Sequence, residues 1–524
     1  MPGRLFQWLP EFLQIWQGVR RLPDAPFRVS GAEDIDLIMN RAKAPSASPF
    51  ASKDLPRLLA PWLLRDDRDN LLLYKCTYVD LKYRVLSPVQ ALILPFFSGE
   101  RSYAEIQSIW LHLIKPVRKA ESLRDLDEIV RNLMAPDEII GLTGVPSDSF
   151  KDKTNIPLPD FNRYHWPVER TSVPVSVQVD LTNRCVANCR YCYAERNSCQ
   201  ELTTAEWVVV FNQFSNLGIR IVDMAGADPF MRLDVFDLLR AMVDRDFTFS
   251  VSTKSHISPV WTRRLAELGI GRDQTGVVAR GLQVSVDSVD NKLASWLTGV
   301  SNYLERAKST TANLVAAGLS PRIKCVMTAY NWDQSAQIVE LFSSLGARRF
   351  QFVQYGRSLY RHSDDLFLTR EQKLSLSESM PLLVAAHPDL EIVFQDDTGE
   401  TKTKEQIKAD WPQRAVCTGG RAAMLVHPNG DVSLCEQIPH IPANVVGNLL
   451  RESLLEIWNG AAVDKFIHPE RSRFAGTVCS SCSDFDECHL GRGYCYRDAL
   501  SAFGGLHDAP PACPRQEKVP LRLV

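Results

Sequence analysis

The feature that most constrains the fold is an alternation of apolar strand patterns and amphipathic helical patterns between residues 175 and 353. Strands that are joined by helices of this length pair in parallel through right-handed crossovers. The predicted strands are 175–180, 219–224, 248–253, 282–286, 323–328 and 350–353. The predicted helices are 204–216, 233–245, 260–268, 303–317 and 335–345. The sequence therefore predicts an α/β fold with a parallel sheet, and ligands are expected at the carboxyl ends of its strands.

Three cysteines follow the first predicted strand. Cys185, Cys189 and Cys192 have the spacing Cys-x3-Cys-x2-Cys, and Tyr191 directly precedes the third cysteine. Soft thiolates suit iron–sulfur clusters, and three of them hold three irons of a [4Fe–4S] cluster. The fourth iron then stays open to a small chelating molecule. A zinc trio and a chance spacing in a cysteine-containing loop are the alternatives.

This spacing, with its aromatic residue, resembles the signature of the radical S-adenosylmethionine (SAM) superfamily. The resemblance implies a partial (β/α)6 barrel in which Cys185, Cys189 and Cys192 are catalytic and SAM chelates the open iron. In that family an electron from the cluster cleaves SAM and leaves a 5′-deoxyadenosyl radical, which removes a hydrogen atom from the substrate.

The loop after the second predicted strand, residues 224–230, resembles the Gly-Gly-Glu-Pro motif of that family. It departs from the motif in having Ala225 for the first glycine, an inserted Ala227 and Asp228 for the glutamate. The resemblance implies that this loop receives the methionyl ammonium of SAM, with an ordinary Asp-Pro turn as the alternative. The residues expected at the SAM site are Tyr191, Ala225, Gly226, Asp228, Ser252, Ser285 and Asp287. A structural hydrogen-bonding role is the alternative for each single polar residue.

A second group of seven cysteines lies between residues 417 and 513, around a hairpin that the type I′ turn signal Asn429–Gly430 predicts. This layout resembles the SPASM domain, whose cysteines carry two auxiliary [4Fe–4S] clusters. The first auxiliary cluster is expected at Cys417, Cys435 and Cys495. The second is expected at Cys479, Cys482, Cys488 and Cys513. Six residues separate Cys488 from Cys495, where the family usually has three, and a structural zinc site is the alternative for the second set.

The N-terminal third of the chain has a different pattern. Strands are predicted within 71–86, a helix over 88–97, a second helix with a capping box at Ser102 and Glu105, and a third over 126–133. This order resembles the winged-helix-like peptide chaperone of pyrroloquinoline quinone biosynthesis. The resemblance implies a module that binds the leader segment of a precursor peptide as an added strand. A helical accessory domain without a peptide site is the alternative.

Composition narrows the classes of function. The net charge of −2 argues against a dominant nucleic-acid or anionic-membrane surface, and no apolar run reaches the length of a membrane span. Ten of the thirteen cysteines fall into two tight regions, which is typical of metal binding in a reducing compartment. We therefore expect a cytoplasmic protein.

The expected organisation has four parts. These are an N-terminal helical extension (1–55), a leader-recognition domain (56–150), a radical SAM barrel (170–400) and a SPASM domain (410–520). The resemblance implies an enzyme that modifies a ribosomally synthesised precursor peptide, with a C–C or C–S crosslink favoured. Alternatives are backbone splicing, oxidation of a residue to a cofactor, a sulfatase-type protein maturase, and an iron–sulfur scaffold or peptide chaperone without turnover. A flavodoxin- or ferredoxin-type electron donor is the further partner expected.

Overall fold

The structure of the chain is a computed structural model, and its residues form two compact units. It describes residues 48–59, 62–67, 71–76, 81–86, 88–114, 116–134, 139–142, 170–272, 280–356, 361–395, 405–406, 409, 411, 414 and 417–516. The N-terminal unit comprises the described residues up to Ser172, and the C-terminal unit those from Val173 onward. Most of the predicted N-terminal extension lies outside the described residues.

The N-terminal unit has the strands and helices in the predicted order. Its strands are β1 (Arg57–Leu58), β2 (Leu63–Asp66), β3 (Leu71–Cys76), β4 (Leu81–Val85) and β5 (Ile140–Gly141). Its helices are α1 (Pro88–Ile93), α2 (Tyr103–Ile114) and α3 (Lys119–Met134). Strands β2, β3 and β4 form an antiparallel sheet in that order, and β1 pairs antiparallel with β5.

Helix α2 begins at the predicted capping box. The Ser102 amide donates to Glu105 Oε2 at 2.7 Å, and the Glu105 amide donates to Ser102 Oγ at 3.3 Å. The two side chains thus satisfy amides that a helix start leaves without partners. The next residue, Tyr103, is buried, and its hydroxyl donates to Asp127 Oδ1 of α3 at 2.6 Å, which joins the two helices.

The C-terminal unit is built on a parallel sheet. Its parallel strands are β6 (Ser176–Val179), β7 (Ile221–Met224), β8 (Phe249–Thr253), β9 (Arg280–Ser285), β10 (Arg322–Met327), β11 (Arg349–Gln354) and β12 (Glu391–Gln395). Each strand pairs in parallel with the next, β7 and β8 through the single bridge between Ile221 and Thr248. The six predicted strands lie where the sequence placed them. The seventh, β12, was not predicted; it contains only three apolar residues, which are half-buried, between two exposed polar ones.

Helices follow the strands in alternation. They are α4 (Thr204–Asn216), α5 (Val235–Val243), α6 (Pro259–Glu267), α7 (Asn291–Thr298), α8 (Tyr303–Ala316), α9 (Ser335–Ser344) and α10 (Arg370–Ala386). Five of them match the predicted helices, whereas α7 and α10 were not predicted. The alternation is the α/β architecture that the sequence indicated.

The two faces of the parallel sheet differ in polarity. One face carries apolar residues such as Val177, Val251 and Phe350, which belong to the main hydrophobic core. Because side chains alternate along a strand, the opposite face carries the residues between them. On that face lie Gln178, Asp223, Ser250, Ser252, Gln283, Lys324 and Gln351. This second face offers polar contacts near the carboxyl ends of the strands.

The C-terminal cysteine region extends the same sheet. Strand β13 (Ala423–Val426) pairs in parallel with β6, on the side opposite β7. Strand β14 (Asp431–Ser433) pairs antiparallel with β13, and β15 (Gly447–Asn448) pairs antiparallel with β14. The turn between β13 and β14 contains Gly430 with φ +84°, so the predicted hairpin is confirmed. Three further helices are α11 (Leu454–Trp458), α12 (Ala461–Ile467) and α13 (Tyr496–Phe503).

Membrane insertion through a helix has no support in the described part of the chain. None of the helices there is both long enough and apolar enough to cross a bilayer.

Candidate active site

The three cysteines of the predicted cluster motif lie together on the loop that follows β6. Cys189 is buried in the main core, and Cys185 and Cys192 are half-buried against it. None of the three forms a disulfide bond with another described cysteine. The pKa of Cys189 is raised to about 12, chiefly by burial; Lys254 opposes this rise, and Asp287, Cys192 and Cys185 add to it. The three cysteines lie on one loop within the segment 185–192, and cluster binding must displace the protons of their thiols.

The ends of this cysteine loop are fixed by one buried arginine that the sequence analysis did not single out. Arg232, 6% exposed, donates from its guanidinium to the carbonyls of Leu181 at 3.0 Å and Leu202 at 2.9 Å. The same guanidinium forms ion pairs with Asp234 at 2.7 Å and Glu201 at 3.2 Å. Arg232 therefore holds the backbone on both sides of Cys185, Cys189 and Cys192.

The middle of the loop is fixed by helix α7. The Asn188 amide donates to the Thr298 carbonyl at 2.7 Å, and the Arg190 amide donates to the Leu297 carbonyl at 3.0 Å. These carbonyls belong to the last turn of α7, where the helix leaves them without internal partners. The cysteine loop is thus held at its ends and at its centre.

The donor set of the loop consists of three thiols, the ligand type that iron–sulfur clusters use. Within the described ranges, no three His, Cys, Asp or Glu side chains are arranged to hold a single metal ion. A cubane cluster makes a different demand, because each thiolate binds its own iron. The three thiols of this loop offer one ligand to each of three irons.

The Asp228 carboxylate is fully engaged with the protein. It is 2% exposed and accepts hydrogen bonds from the Phe230 amide at 3.1 Å, Thr253 Oγ1 at 2.9 Å and the Lys254 amide at 2.9 Å. It also accepts from the Ser255 amide at 2.9 Å and Ser255 Oγ at 3.0 Å. Asp228 therefore ties the loop after β7 to the loop after β8, and its contact with a methionyl ammonium stays a prediction.

The remaining residues of the predicted SAM loop pack on β6. The Ala225 amide donates to the Val179 carbonyl at 3.1 Å. Gly226 has φ +79°, and a Cβ at this position would lie 2.7 Å from Asp180 Oδ1. Glycine is required there, because any side chain would meet this carboxylate and a left-handed backbone as well.

Asp287 and Tyr191, predicted from separate motifs, are brought into contact. The Tyr191 hydroxyl donates a short hydrogen bond to Asp287 Oδ2, and the Val326 amide donates to Asp287 Oδ1 at 3.1 Å. Lys254 Nζ lies 3.3 Å from Asp287 Oδ2. Burial is the largest single effect and disfavours the Lys254 ammonium, but Asp287, Tyr303 and Cys189 together outweigh it and raise the pKa of this lysine. Lys254 was not predicted, although its position directly after a predicted strand was a usable signal.

The two predicted serines lie on the polar face of the sheet. Ser252 Oγ accepts from Gln283 Nε2 at 2.7 Å. The Ser285 carbonyl accepts from the Tyr303 hydroxyl at 2.6 Å. Both residues lie near the carboxyl ends of neighbouring strands, and their contact with SAM stays a prediction.

The C-terminal cysteines affect the pKa values of one another, and their division into two ligand groups stays a prediction. Burial is the main cause that raises the pKa of Cys479 to about 12, and Cys513, Cys488 and Cys482 add to it. The pKa of Cys435 is raised to about 11 by burial, Glu436 and Cys417, and that of Cys495 to about 12 by burial, Asp498 and Cys417. Both Cys435 and Cys495 thus lie near Cys417.

The unusual spacing before Cys495 has a structural counterpart. The residues Glu487–Arg492 form a π-helical turn, which takes up extra chain between Cys488 and Cys495. Cys495 then reaches the neighbourhood of Cys417 despite the longer segment. The Arg414 guanidinium donates to Cys488 Sγ at 3.3 Å, so a cation accompanies the second group.

Two family models match this chain. The model of the radical SAM superfamily matches residues 179–346, and that of the SPASM iron–sulfur cluster-binding domain matches residues 417–483. These matches confirm both resemblances and with them the iron–sulfur and SAM cofactors. The matched segments contain the cysteine loop and the β13–β14 hairpin, respectively.

Similar proteins include two enzymes named PqqA peptide cyclase. The one from Ruegeria pomeroyi is 24% identical over 356 residues, which cover 67% of this chain and 89% of that protein. The one from Xanthomonas axonopodis pv. citri is 26% identical and covers 65% of this chain and 88% of its own length. The structure of Streptococcus suis SuiB bound to precursor peptide SuiA has a TM-score of 0.60 and 16% identity, over 87% of this chain and 99% of SuiB. This last likeness shows the fold.

We predict that Arg232→Met will destabilise the C-terminal unit by about 3–5 kcal/mol, because it leaves buried carbonyls and carboxylates without their cation. The measurement is the free energy of unfolding from guanidinium titration followed by tryptophan fluorescence. Arg263→Met, on the exposed surface of α6, is the control and should change the free energy by less than about 0.5 kcal/mol. An effect of Arg232→Met as small as the control's would show that the loop does not depend on this contact.

Proposed function

We propose that this chain, a radical SAM enzyme with a C-terminal iron–sulfur domain, modifies a ribosomally synthesised precursor peptide by joining two of its side chains through a C–C or C–S bond. The observation that carries the proposal is the pairing of β6 with both β7 and β13. It places the cysteine loop and the C-terminal hairpin beside one polar sheet face. The PqqA peptide cyclases and SuiB with its precursor peptide support a peptide as the substrate.

The cysteine loop holds the reactive cofactors in this proposal. Cys185, Cys189 and Cys192 would hold the cluster, which together with SAM supplies a 5′-deoxyadenosyl radical when bound. Tyr191, Asp287 and Lys254 form a rigid, hydrogen-bonded wall beside the loop. A rigid wall keeps the substrate carbon in one orientation and excludes water, which protects a reactive centre from side reactions.

In this proposal the C-terminal cysteines bind the clusters that accept the second electron of the oxidation. A new bond between two side chains removes two hydrogens, so a second electron needs an acceptor after the first hydrogen atom has left. Two auxiliary clusters would supply that acceptor. We assign the first to Cys417, Cys435 and Cys495, and the second to Cys479, Cys482, Cys488 and Cys513.

The N-terminal unit is the proposed binding site for the leader of the peptide. Its three-stranded sheet has edges at β2 and β4, and an extended peptide adds to such an edge through backbone hydrogen bonds. We place this module at residues 56–150, the barrel at 170–400 and the SPASM domain at 410–520.

We further propose a cytoplasmic location and a flavodoxin- or ferredoxin-type electron donor, because clustered cysteines without disulfide bonds favour a reducing compartment.

The modification itself is tested by co-expressing the enzyme with the short peptide encoded beside its gene and measuring the mass of that peptide by mass spectrometry. We expect the loss of two hydrogens with the intact enzyme and no change with Cys185→Ala. Cys199→Ala is the matched control, because Cys199 lies outside all three expected ligand groups, and it should give the same product as the intact enzyme.

Other masses would contradict the crosslink. Loss of a larger fragment would indicate backbone splicing. An unchanged peptide, in a preparation that still cleaves SAM, would favour a folded protein as the substrate.

The auxiliary clusters are tested by iron analysis of the anaerobically reconstituted protein. We expect the double substitution Cys479→Ala/Cys482→Ala to lower the iron content by about one third, since one of three similar clusters is lost. Cys199→Ala should leave the iron content unchanged. Iron equal to a single cluster per chain in the unsubstituted protein, unaffected by the double substitution, would contradict two auxiliary clusters.

A further inference from the structure

The polar face of the parallel sheet continues past the end of β11 to Tyr355. Gln351 lies on this face, and because alternate residues of a strand share a face, Val353 and Tyr355 follow it. The Tyr355 amide donates to the Met327 carbonyl at 2.9 Å, so the pairing with β10 extends to this residue. Tyr355 therefore lies at the carboxyl end of the sheet, where folds of this class bind their ligands.

Side-chain packing connects Tyr355 to the cysteine loop. Tyr355 is 7% exposed and forms a small apolar cluster with Leu297 and Leu366. Tyr191 of the cysteine loop packs against this cluster, and so does Val326 of β10. The Tyr355 ring thus lies on the side of the barrel where the radical is proposed to form.

A chain of hydrogen bonds leads from Tyr355 to the surface. The Tyr355 hydroxyl lies 2.7 Å from His362 Nδ1, and His362 Nε2 lies 2.6 Å from Asp364 Oδ1. The exposed fraction of the side chain is 18% for His362 and 51% for Asp364. The Ser363 amide also donates to the Tyr355 hydroxyl oxygen, at 3.4 Å. The chain begins at a buried hydroxyl and ends at a carboxylate that contacts water.

The carboxylate of Asp364 fixes the direction of these hydrogen bonds. A carboxylate only accepts, so His362 Nε2 carries a proton, and Nδ1 of the neutral ring accepts from the Tyr355 hydroxyl. A histidine held in this way can take up a proton at Nδ1, because the carboxylate stabilises the imidazolium that forms. The Phe367 ring lies 5.1 Å from the Tyr355 ring and 5.3 Å from the His362 ring, which helps to hold both rings in place.

The proposed crosslink needs an acceptor for a proton. One of the two hydrogens leaves the peptide as an atom, which the radical takes. The other leaves as a proton, while its electron passes to an auxiliary cluster. A positioned base that accepts such a proton in the transition state speeds the step by about 100-fold or more.

We propose that Tyr355 is the catalytic base that accepts this proton, and that His362 and Asp364 carry it to solvent. As the new bond forms, the C–H or S–H bond of the second reacting atom breaks and its proton moves to Tyr355 Oη. The original hydroxyl proton of Tyr355 moves to His362 Nδ1 at the same time. The imidazolium, paired with Asp364, then releases a proton to water. This inference rests on the proposed function and adds to it the base of the reaction.

The test compares two products of turnover with a precursor peptide that carries deuterium on its side-chain carbons. These products are 5′-deoxyadenosine and the modified peptide, and their amounts should match in the unsubstituted enzyme. In Tyr355→Phe and His362→Gln we expect deuterated 5′-deoxyadenosine to form at a nearly normal rate, since removal of the hydrogen atom comes first. The modified peptide should form about 100-fold more slowly in both variants.

Tyr330→Phe is the matched control for these variants. The Tyr330 hydroxyl donates to Asp365 at 2.7 Å, and this tyrosine is 43% exposed, so the substitution removes a similar hydrogen bond at the surface. Both products should form as in the unsubstituted enzyme. Iron content and the visible spectrum check that the clusters are intact in each variant.

Two outcomes would overturn the assignment. The first is a normal rate of peptide modification in Tyr355→Phe or in His362→Gln. The second is an equal loss of 5′-deoxyadenosine and modified peptide, which would show that the chain of hydrogen bonds only supports the fold.

A second measurement needs no peptide and so separates this inference from the proposed function. Nitrogen-15 NMR of the histidine rings in the oxidised holoenzyme reports which ring nitrogen carries the proton, and the His362 signals are assigned by their loss in His362→Gln. We expect the proton on Nε2, and a shift of the Nδ1 signal in Tyr355→Phe but not in Tyr330→Phe. A proton on Nδ1 alone would overturn the relay. An unmodified peptide with the unsubstituted enzyme would instead contradict the crosslink.

Discussion

The hydrogen bonding of β6 on both sides is the constraint on which the rest of the C-terminal unit depends. On one side β7 brings the loop of Gly226 and Asp228, and on the other β13 brings the hairpin that leads to Cys435. The cysteine loop leaves from the end of the same strand. A shift of one residue in either pairing would turn every side chain of that strand to the opposite face. The register of β6 therefore fixes which groups surround the reacting centre.

Much of the fold was predictable from local patterns. The six inner strands carry apolar runs and the helices between them have clear periodicity, so both were found close to their observed bounds. The hairpin at Gly430 was found because its turn demands a left-handed residue. Strand β12 was missed, because its apolar run is only three residues long and stands between two polar residues. The pairing of β13 with β6 joins segments that are distant in the sequence, and no local signal reports it.

The cysteines of the candidate site were predictable from the sequence. The residues that hold the cysteine loop in place were less so. Cysteine spacing is a strong signal because cluster chemistry demands several thiolates close together. Arg232 gave no signal, because a single arginine with partners at several positions has no pattern of its own. The motif comparison did single out Asp228, but only the structure shows that its carboxylate holds two loops together. Asp180, by contrast, stands buried without a donor for Oδ1, which only the three-dimensional arrangement shows.

In the proposed reaction, a radical formed at the cysteine loop takes a hydrogen atom directly from the peptide. The most direct measurement is the deuterium content of 5′-deoxyadenosine formed during turnover with a precursor peptide that carries deuterium on its side-chain carbons. We predict that 5′-deoxyadenosine will carry one added deuterium, in amounts that match the modified peptide. Formation of unlabelled 5′-deoxyadenosine alongside modified peptide would contradict it.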